Sequence, residues 1–170
     1  LENQKKTNYA LQAKSKEEFI DKVLDGLVAP PQYFPKNAIM NKTGYQSLDD
    51  VMQNGLQALS PAAFDAVAIE TEALILDVRN PDEFAKGFIP NSINIGLDGI
   101  FATWVGTLIT NLKQEILLVT KVGRVEETIL RLSRVGYDNT IGFLKGGFES
   151  WANDNREIET IKTIDAEDFI

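Results

Sequence analysis

The stretch Ala73-Leu74-Ile75-Leu76-Asp77-Val78-Arg79-Asn80-Pro81-Asp82-Glu83-Phe84 decides the fold. Ala73 to Val78 is a run of strand length, apolar except at Asp77, as expected of a strand covered on both faces. Pro81-Asp82-Glu83-Phe84 then opens a short helix that should end near Gly87. Outward from this unit the same alternation repeats. Ser92-Ile93-Asn94-Ile95 reads as a second short strand, Ile116 to Val119 as a third and Asn139-Thr140-Ile141-Gly142-Phe143 as a last one. Ser60-Pro61-Ala62-Ala63-Phe64 has an N-cap serine with proline at the first helical position. Phe101 to Leu112 is expected to be helical. Val125, Ile129, Leu132 and Val135 recur at helical spacing, with Gly136 where a helix C-cap is wanted. Phe148 to Trp151 opens a closing helix. Short buried strands separated by helices predict an α/β fold, a parallel sheet of about five strands flanked by helices on both faces.

The first forty or so residues differ in character and form an N-terminal helical and extended appendage. Ser15-Lys16-Glu17-Glu18 has the pattern of a helix start. Phe19, Ile20, Val23, Leu24 and Leu27 then make an apolar stripe. Ala29-Pro30-Pro31 is expected to end that helix, and Tyr33-Phe34-Pro35 to continue as an extended aromatic segment. A lone amphipathic helix cannot bury its stripe unaided, so it should pack on this domain or on another.

The chain has 170 residues, 44% of them hydrophobic and 25% charged, and a formal net charge of −8. Length allows one full domain with an appendage. The acidic balance, with no basic cluster, argues against nucleic acid and membrane surfaces as partners. No apolar run is long enough to span a bilayer. There are no cysteines and no histidines. Disulfides, thiolate nucleophiles, imidazole bases and nearly every zinc or copper site are thereby excluded from this chain, which should hold no cofactor. Beginning at Leu1 and ending in helix-like text, the sequence reads as an excerpt of a longer cytoplasmic protein.

In an open parallel sheet, ligands bind beyond the carboxyl ends of the strands, beside helix N-termini. The loop Thr120-Lys121-Val122-Gly123-Arg124-Val125 leaves a buried strand and enters a helix, so its amides could cradle an anion. Lys121, Gly123 and Arg124 are the anion-binding candidates. Ordered motifs surround this loop. They are Asp77 and Arg79 with Glu83-Phe84, then Gly87-Phe88-Ile89-Pro90-Asn91-Ser92-Ile93-Asn94-Ile95, then Gly136-Tyr137 followed by Leu144, Gly146, Gly147, Phe148 and Trp151. From Leu59 to Trp151 this set resembles rhodanese-like domains, which carry Cys-x-x-Gly-x-Arg in the loop. The resemblance implies a sulfur-carrying cysteine where this chain has Thr120, a loop arginine where it has Val125 and a histidine where it has Phe88.

Those departures imply an inactive sulfurtransferase. A thiol ionises readily when amides lower its pKa, whereas a threonine hydroxyl needs a strong base that a histidine-free chain lacks. Glu126 and Glu127 in the first turn of the following helix would also oppose an incoming anion. No catalytic residue is therefore expected, and Thr120 reads as a packing or capping residue. Lys121 and Arg124 have solvated surface charge as their plainer reading. Asp77, Arg79 and Glu83 read as structural ion pairs at the strand end. Gly146-Gly147 reads as a tight turn, and Trp104 and Trp151 as core or interface anchors.

A closer resemblance comes from Pro30-Pro31-Gln32-Tyr33-Phe34-Pro35, Asn41-Lys42 with Gly44-Tyr45, and Leu97-Asp98-Gly99 with Phe101-Ala102-Thr103-Trp104-Val105-Gly106. Together they are similar to bacterial multidomain proteins in which a metallo-β-lactamase-fold domain precedes two rhodanese-like domains. The resemblance implies that residues 1–45 are the tail of that preceding domain or a linker, 46–158 the rhodanese-like domain, and 159–170 the start of a second one. It implies a parent of persulfide dioxygenase or glyoxalase-II type, with zinc or iron bound outside this chain. The expected role is a non-catalytic module whose partners are those intramolecular domains, with Tyr33, Phe34 and the first helix helping to bridge them. This leaves a homodimer open. The alternative is a domain that binds a small anion or thiol metabolite through residues 120–125.

Overall fold

The computed structural model describes residues 2–27, 33–44, 46–162 and 164. It divides into two units, Leu1–Pro30 and Pro31–Ile170. The first contains α1 (Glu2–Thr7), a 3-10 turn (Tyr9–Gln12) and α2 (Lys16–Leu24). The expected cap is present, with the Ser15 hydroxyl accepting a hydrogen bond from the Glu18 amide. Helix α2 stops before Leu27 because Asp25 and Gly26 are weak helix formers. The expected stop at Ala29-Pro30-Pro31 lies outside the described residues. Phe19, Ile20, Leu24 and Leu27 stay exposed.

The second unit runs α3 (Tyr33–Thr43), α4 (Leu48–Gly55), β1 (Ala58–Leu59), α5 (Pro61–Thr71), β2 (Leu74–Asp77), α6 (Pro81–Lys86) and β3 (Ile93–Asn94). It continues through α7 (Phe101–Leu108), β4 (Ile116–Val119), α8 (Val125–Ser133), β5 (Thr140–Leu144) and α9 (Phe148–Asn153). The sheet is parallel throughout, in the order β1-β5-β4-β2-β3. As expected from the sequence, it is a five-stranded α/β fold.

Alternation along the central strands builds two cores. Leu76, Ile116 and Leu118 point to one face, where Val51 of α4, Phe101 and Val105 of α7, and Ile129 and Leu132 of α8 cover them. Ile75, Leu117 and Val119 point to the other, under Phe64 of α5 and Trp151 of α9. A register shift sits where Ile116 pairs with Thr140 but Leu117 with Gly142. The extra residue, Ile141, packs on the second face while Phe143 returns to the first. A one-residue bulge is what reverses side-chain parity in this way.

Two expectations are corrected. Tyr33-Phe34-Pro35 is not extended but forms the first turn of α3. Proline is tolerated there because amides of a first turn have no acceptor within the helix. The Tyr33 ring lies against Gly106 of α7, leaving no room for a side chain at that glycine, and Lys36 Nζ donates to the Thr110 carbonyl at 2.6 Å. Helix α7 ends at Leu108 rather than Leu112. Ile109 turns extended into the core, and the Asn111 side chain accepts from the Lys113 amide to form an Asx turn.

After α9 the chain folds back. Trp151 Nε1 donates to the Glu157 carbonyl at 2.9 Å, Arg156 pairs with Asp65 and Asp154, and Phe88 and Glu159 exchange both backbone hydrogen bonds. Among the described residues no helix is long and apolar enough to cross a membrane.

The two-sided burial gives a direct expectation. Leu118→Ala should cost about 2–5 kcal/mol, since Leu118 is fully buried and its cavity cannot easily collapse. Ile69→Ala, at a position 73% exposed, should change stability by less than about 0.5 kcal/mol. Urea unfolding midpoints of the two variants would check the contrast.

Candidate functional site

The carboxyl ends of β2 and β4 lie side by side, with Asp77 in register with Val119. Beyond β4, residues 121–124 form a turn closed by the Arg124 amide donating to the Lys121 carbonyl at 3.1 Å, and α8 starts at Val125. Thr120 is 3% exposed, and its hydroxyl donates to the Lys121 carbonyl at 2.9 Å. The hydroxyl is thus turned into its own loop. Val122 and Gly123 are at the exposed tip.

Gly147 explains how the loop is held from the far side. It has φ +68°, and a Cβ there would lie 2.8 Å from the Thr120 carbonyl oxygen. Only glycine accepts both conditions. Gly146 and Gly147 therefore form the tight turn into α9 and bring that turn's backbone against residue 120.

Both loop cations are already engaged. Lys121 Nζ lies 2.8 Å from Glu83 Oε1 of α6, and this hydrogen bond holds the Glu83 carboxyl below the ordinary carboxylate range. Glu83 also completes a capping box with Asn80 at the start of α6. Arg124 pairs with Asp98 at 2.8 Å and with Glu127 at 2.9 Å. Glu127 binds Arg131 as well, and Arg131 donates to the Leu97 carbonyl at 2.7 Å. The i, i+3 and i+4 spacing of Arg124, Glu127 and Arg131 was a readable signal for that chain of pairs. Asp98 was not, because only the fold brings it beside α8.

Asp77 and Arg79 come together in the interior. Arg79 Nε donates to both Asp77 oxygens at 3.0 and 2.9 Å, Nη2 donates to Oδ2 at 2.6 Å, and the Arg79 amide donates to Oδ1 at 2.9 Å. Nη2 also donates to the Gly87 carbonyl at 2.8 Å, and the guanidinium lies 4.1 Å over the Phe148 ring. Burial pushes the Asp77 carboxyl up, against the opposing pull of the Arg79 guanidinium. Glu83 is not part of this pair. Asn94 Nδ2 donates to the carbonyls of Asp77 and Arg79, each at 3.0 Å, so that a side chain of β3 fixes the end of β2. Phe88 stacks on Phe84 with centroids 4.3 Å apart. Trp151 is buried, while Trp104 is half exposed on α7.

Chemically, the arrangement is a loop end whose threonine hydroxyl is bonded to its own backbone and whose cations are paired, next to a satisfied ion pair. Two expectations follow. Asp77→Ala should destabilise the fold by about 3–5 kcal/mol, because it leaves Arg79 buried without its anion. Asp77→Ala combined with Arg79→Met should cost less than the two single changes summed, as a denaturation double-mutant cycle would measure. In Thr120→Cys, the new thiol should react with an aromatic disulfide reagent far more slowly in the folded chain than after unfolding.

Comparison with known proteins agrees with this geometry. The family model described as "Rhodanese-like domain" matches residues 60–154. Among curated proteins, the chain is 30% identical over 95 residues to the uncharacterized protein BU052 of Buchnera aphidicola, covering 54% of this chain and 65% of that one. It is 32% identical over 85 residues to the uncharacterized protein YibN of Escherichia coli, covering 49% and 59%. The chain thus spans less than two thirds of the length of these relatives. Among solved structures, a metallo-β-lactamase from Staphylococcus aureus matches 85% of this chain with 39% of its own, at 28% identity and a TM-score of 0.62. The rhodanese-like domain of the Alr3790 protein from Anabaena shares the fold, at 17% identity and a TM-score of 0.51, covering 61% of this chain and 79% of its own. The chain belongs to the rhodanese-like domain family.

Proposed function

We propose that this chain is a non-catalytic rhodanese-like module serving a metallo-β-lactamase-fold hydrolase, of persulfide dioxygenase or glyoxalase-II type. The observation that carries the first half is Thr120, the residue at the position of the family's cysteine by motif alignment. It is buried, and its hydroxyl is bonded to its own loop. Sulfur transfer requires a group that can be ionised to a nucleophile and carry a persulfide, which a threonine hydroxyl cannot do. The chain has no cysteine to replace it.

The second half draws on the likeness to the Staphylococcus aureus metallo-β-lactamase, over half of which lies outside the match. A surface suited to a neighbouring domain supports it. Ile100, the N-cap of α7, is followed at i+4 and i+8 by Trp104 and Leu108 on that helix, and all three are at least half exposed. Their helix carries no charged residue. In this reading the hydrolase's zinc or iron belongs to the other domain.

Lys121 and Arg124 bear on the alternative of anion binding in the loop. Each is bonded to carboxylates, so an anion would have to displace Glu83, Asp98 or Glu127 to reach it. That exchange favours the non-catalytic reading over the binding one.

The test is a thiosulfate:cyanide transfer assay on this chain. Thiocyanate should form no faster than in the protein-free reaction. Turnover at the rate of a cysteine rhodanese would overturn the proposal.

A further inference from the structure

At the other end of the sheet from the loop, a cavity of about 320 Å³ lies between α3, α4 and the C-terminal end of α8. Its size falls at the small end of the range for ligand pockets, about 300–1,000 Å³. Met40, Leu48 and Val51 give it an apolar wall.

Three polar features of its lining are unused by the fold. Asn37 Oδ1 is buried with no hydrogen-bond partner. Asp138 is half buried, and Arg134 stands on the same cavity. Among the described residues neither makes an ion pair, with the other or with anything else. The other three surface arginines, Arg124, Arg131 and Arg156, are all paired. A buried acceptor without a donor costs free energy, and the half-buried Asp138 carboxylate has no cation beside it among the described residues. Burial alone pushes the Asp138 carboxyl up, as expected where no cation offsets it.

Gly136 shapes the cavity. It has φ +86°, and a Cβ there would stand 2.7 Å from Asn37 Oδ1 and 3.2 Å from Met40 Sδ. The glycine also ends α8. The Tyr137 amide donates to the Leu132 carbonyl, and the Gly136 amide to that of Ser133. This is the Schellman arrangement. It turns the chain so that Arg134 and Asp138 border one space.

We propose that this cavity binds a free α-amino acid with an apolar side chain. An ammonium would meet the Asp138 carboxylate, a carboxylate would meet the Arg134 guanidinium, and the side chain would lie on Met40, Leu48 and Val51, beside Asn37. A simple cation would leave Arg134 unmatched, a simple anion would leave Asp138 unmatched, and neither would use the apolar wall.

The test is a titration of the full chain with L-leucine, N-acetyl-L-leucine and L-leucinamide. It would be followed through the backbone amide signal of Gly136 and the side-chain amide signals of Asn37. L-leucine should shift these signals saturably in the millimolar range or below. Removing the ligand's ammonium or its carboxylate should each weaken binding by at least about tenfold, equivalent to about 1.4 kcal/mol. Asp138→Asn and Arg134→Gln should weaken L-leucine by the same amount with the rest of the spectrum unchanged. No saturable shift with L-leucine would overturn the proposal. So would equal binding of all three compounds to the wild-type chain, a result that does not depend on any variant folding.

Discussion

At the carboxyl end of β2 an aspartate and an arginine are buried against each other, and much of the domain is arranged around them. Asp77 is the last residue of a central strand, so its carboxylate could not be left there alone. Arg79, two residues on, supplies the charge and the hydrogen bonds. Its remaining contacts reach Gly87 beyond α6 and Phe148 at the start of α9, two segments far apart in sequence. Asn94 ties the edge strand to the same point. Replacing such a pair by apolar residues of similar volume need not weaken a fold. What the pair supplies here is a single permitted position for three connections, made by directional bonds where apolar packing would tolerate several.

The same end of the sheet is where a parallel α/β fold would place a ligand, yet here it is filled by its own side chains. Glu83, Lys121, Asp98, Arg124, Glu127 and Arg131 form two sets of ion pairs across the loop, and the Gly146-Gly147 turn closes on Thr120. Exposed pairs of this kind contribute little each to stability. Their effect is positional, because they hold α6, the Leu97-Asp98 segment and α8 around a loop whose Thr120 hydroxyl is bonded to its own backbone. The family scaffold is kept in a chain that contains no cysteine.

How much of this was legible depended on whether the determining forces were local. Strands β2 and β4 show as short apolar runs because both their faces are covered, and α5 and α8 show through a capping serine and a regular apolar spacing. Helix α3 was hidden because Pro35 in a first turn reads as a breaker unless its position within the turn is known. Its mean pattern is not amphipathic, and it is held by Tyr33 on Gly106 and Lys36 on Thr110, contacts that only the fold creates. Strand β1 has two residues and no pattern of its own beyond pairing with β5. At the site, the motif order gave Thr120, Asp77 and Arg79 their places. The pairing of Lys121 with Glu83 and of Arg124 with Asp98 was not readable, because Glu83 and Asp98 arrive from separate connections.

The position of β1 has a consequence for how the chain is made. Ala58 and Leu59 pair with Phe143 and Leu144, almost the whole domain later in sequence. On a ribosome, β1 and α5 are synthesised long before their hydrogen-bonding partner exists. Contacts of such long sequence separation form late, because the intervening loop must be closed before they give any return. Strand β1 therefore waits for its pairing, and Phe64 for Trp151 of α9, until the last strand and helix emerge. That interval is when the domain is most open to capture by chaperones or to misassembly.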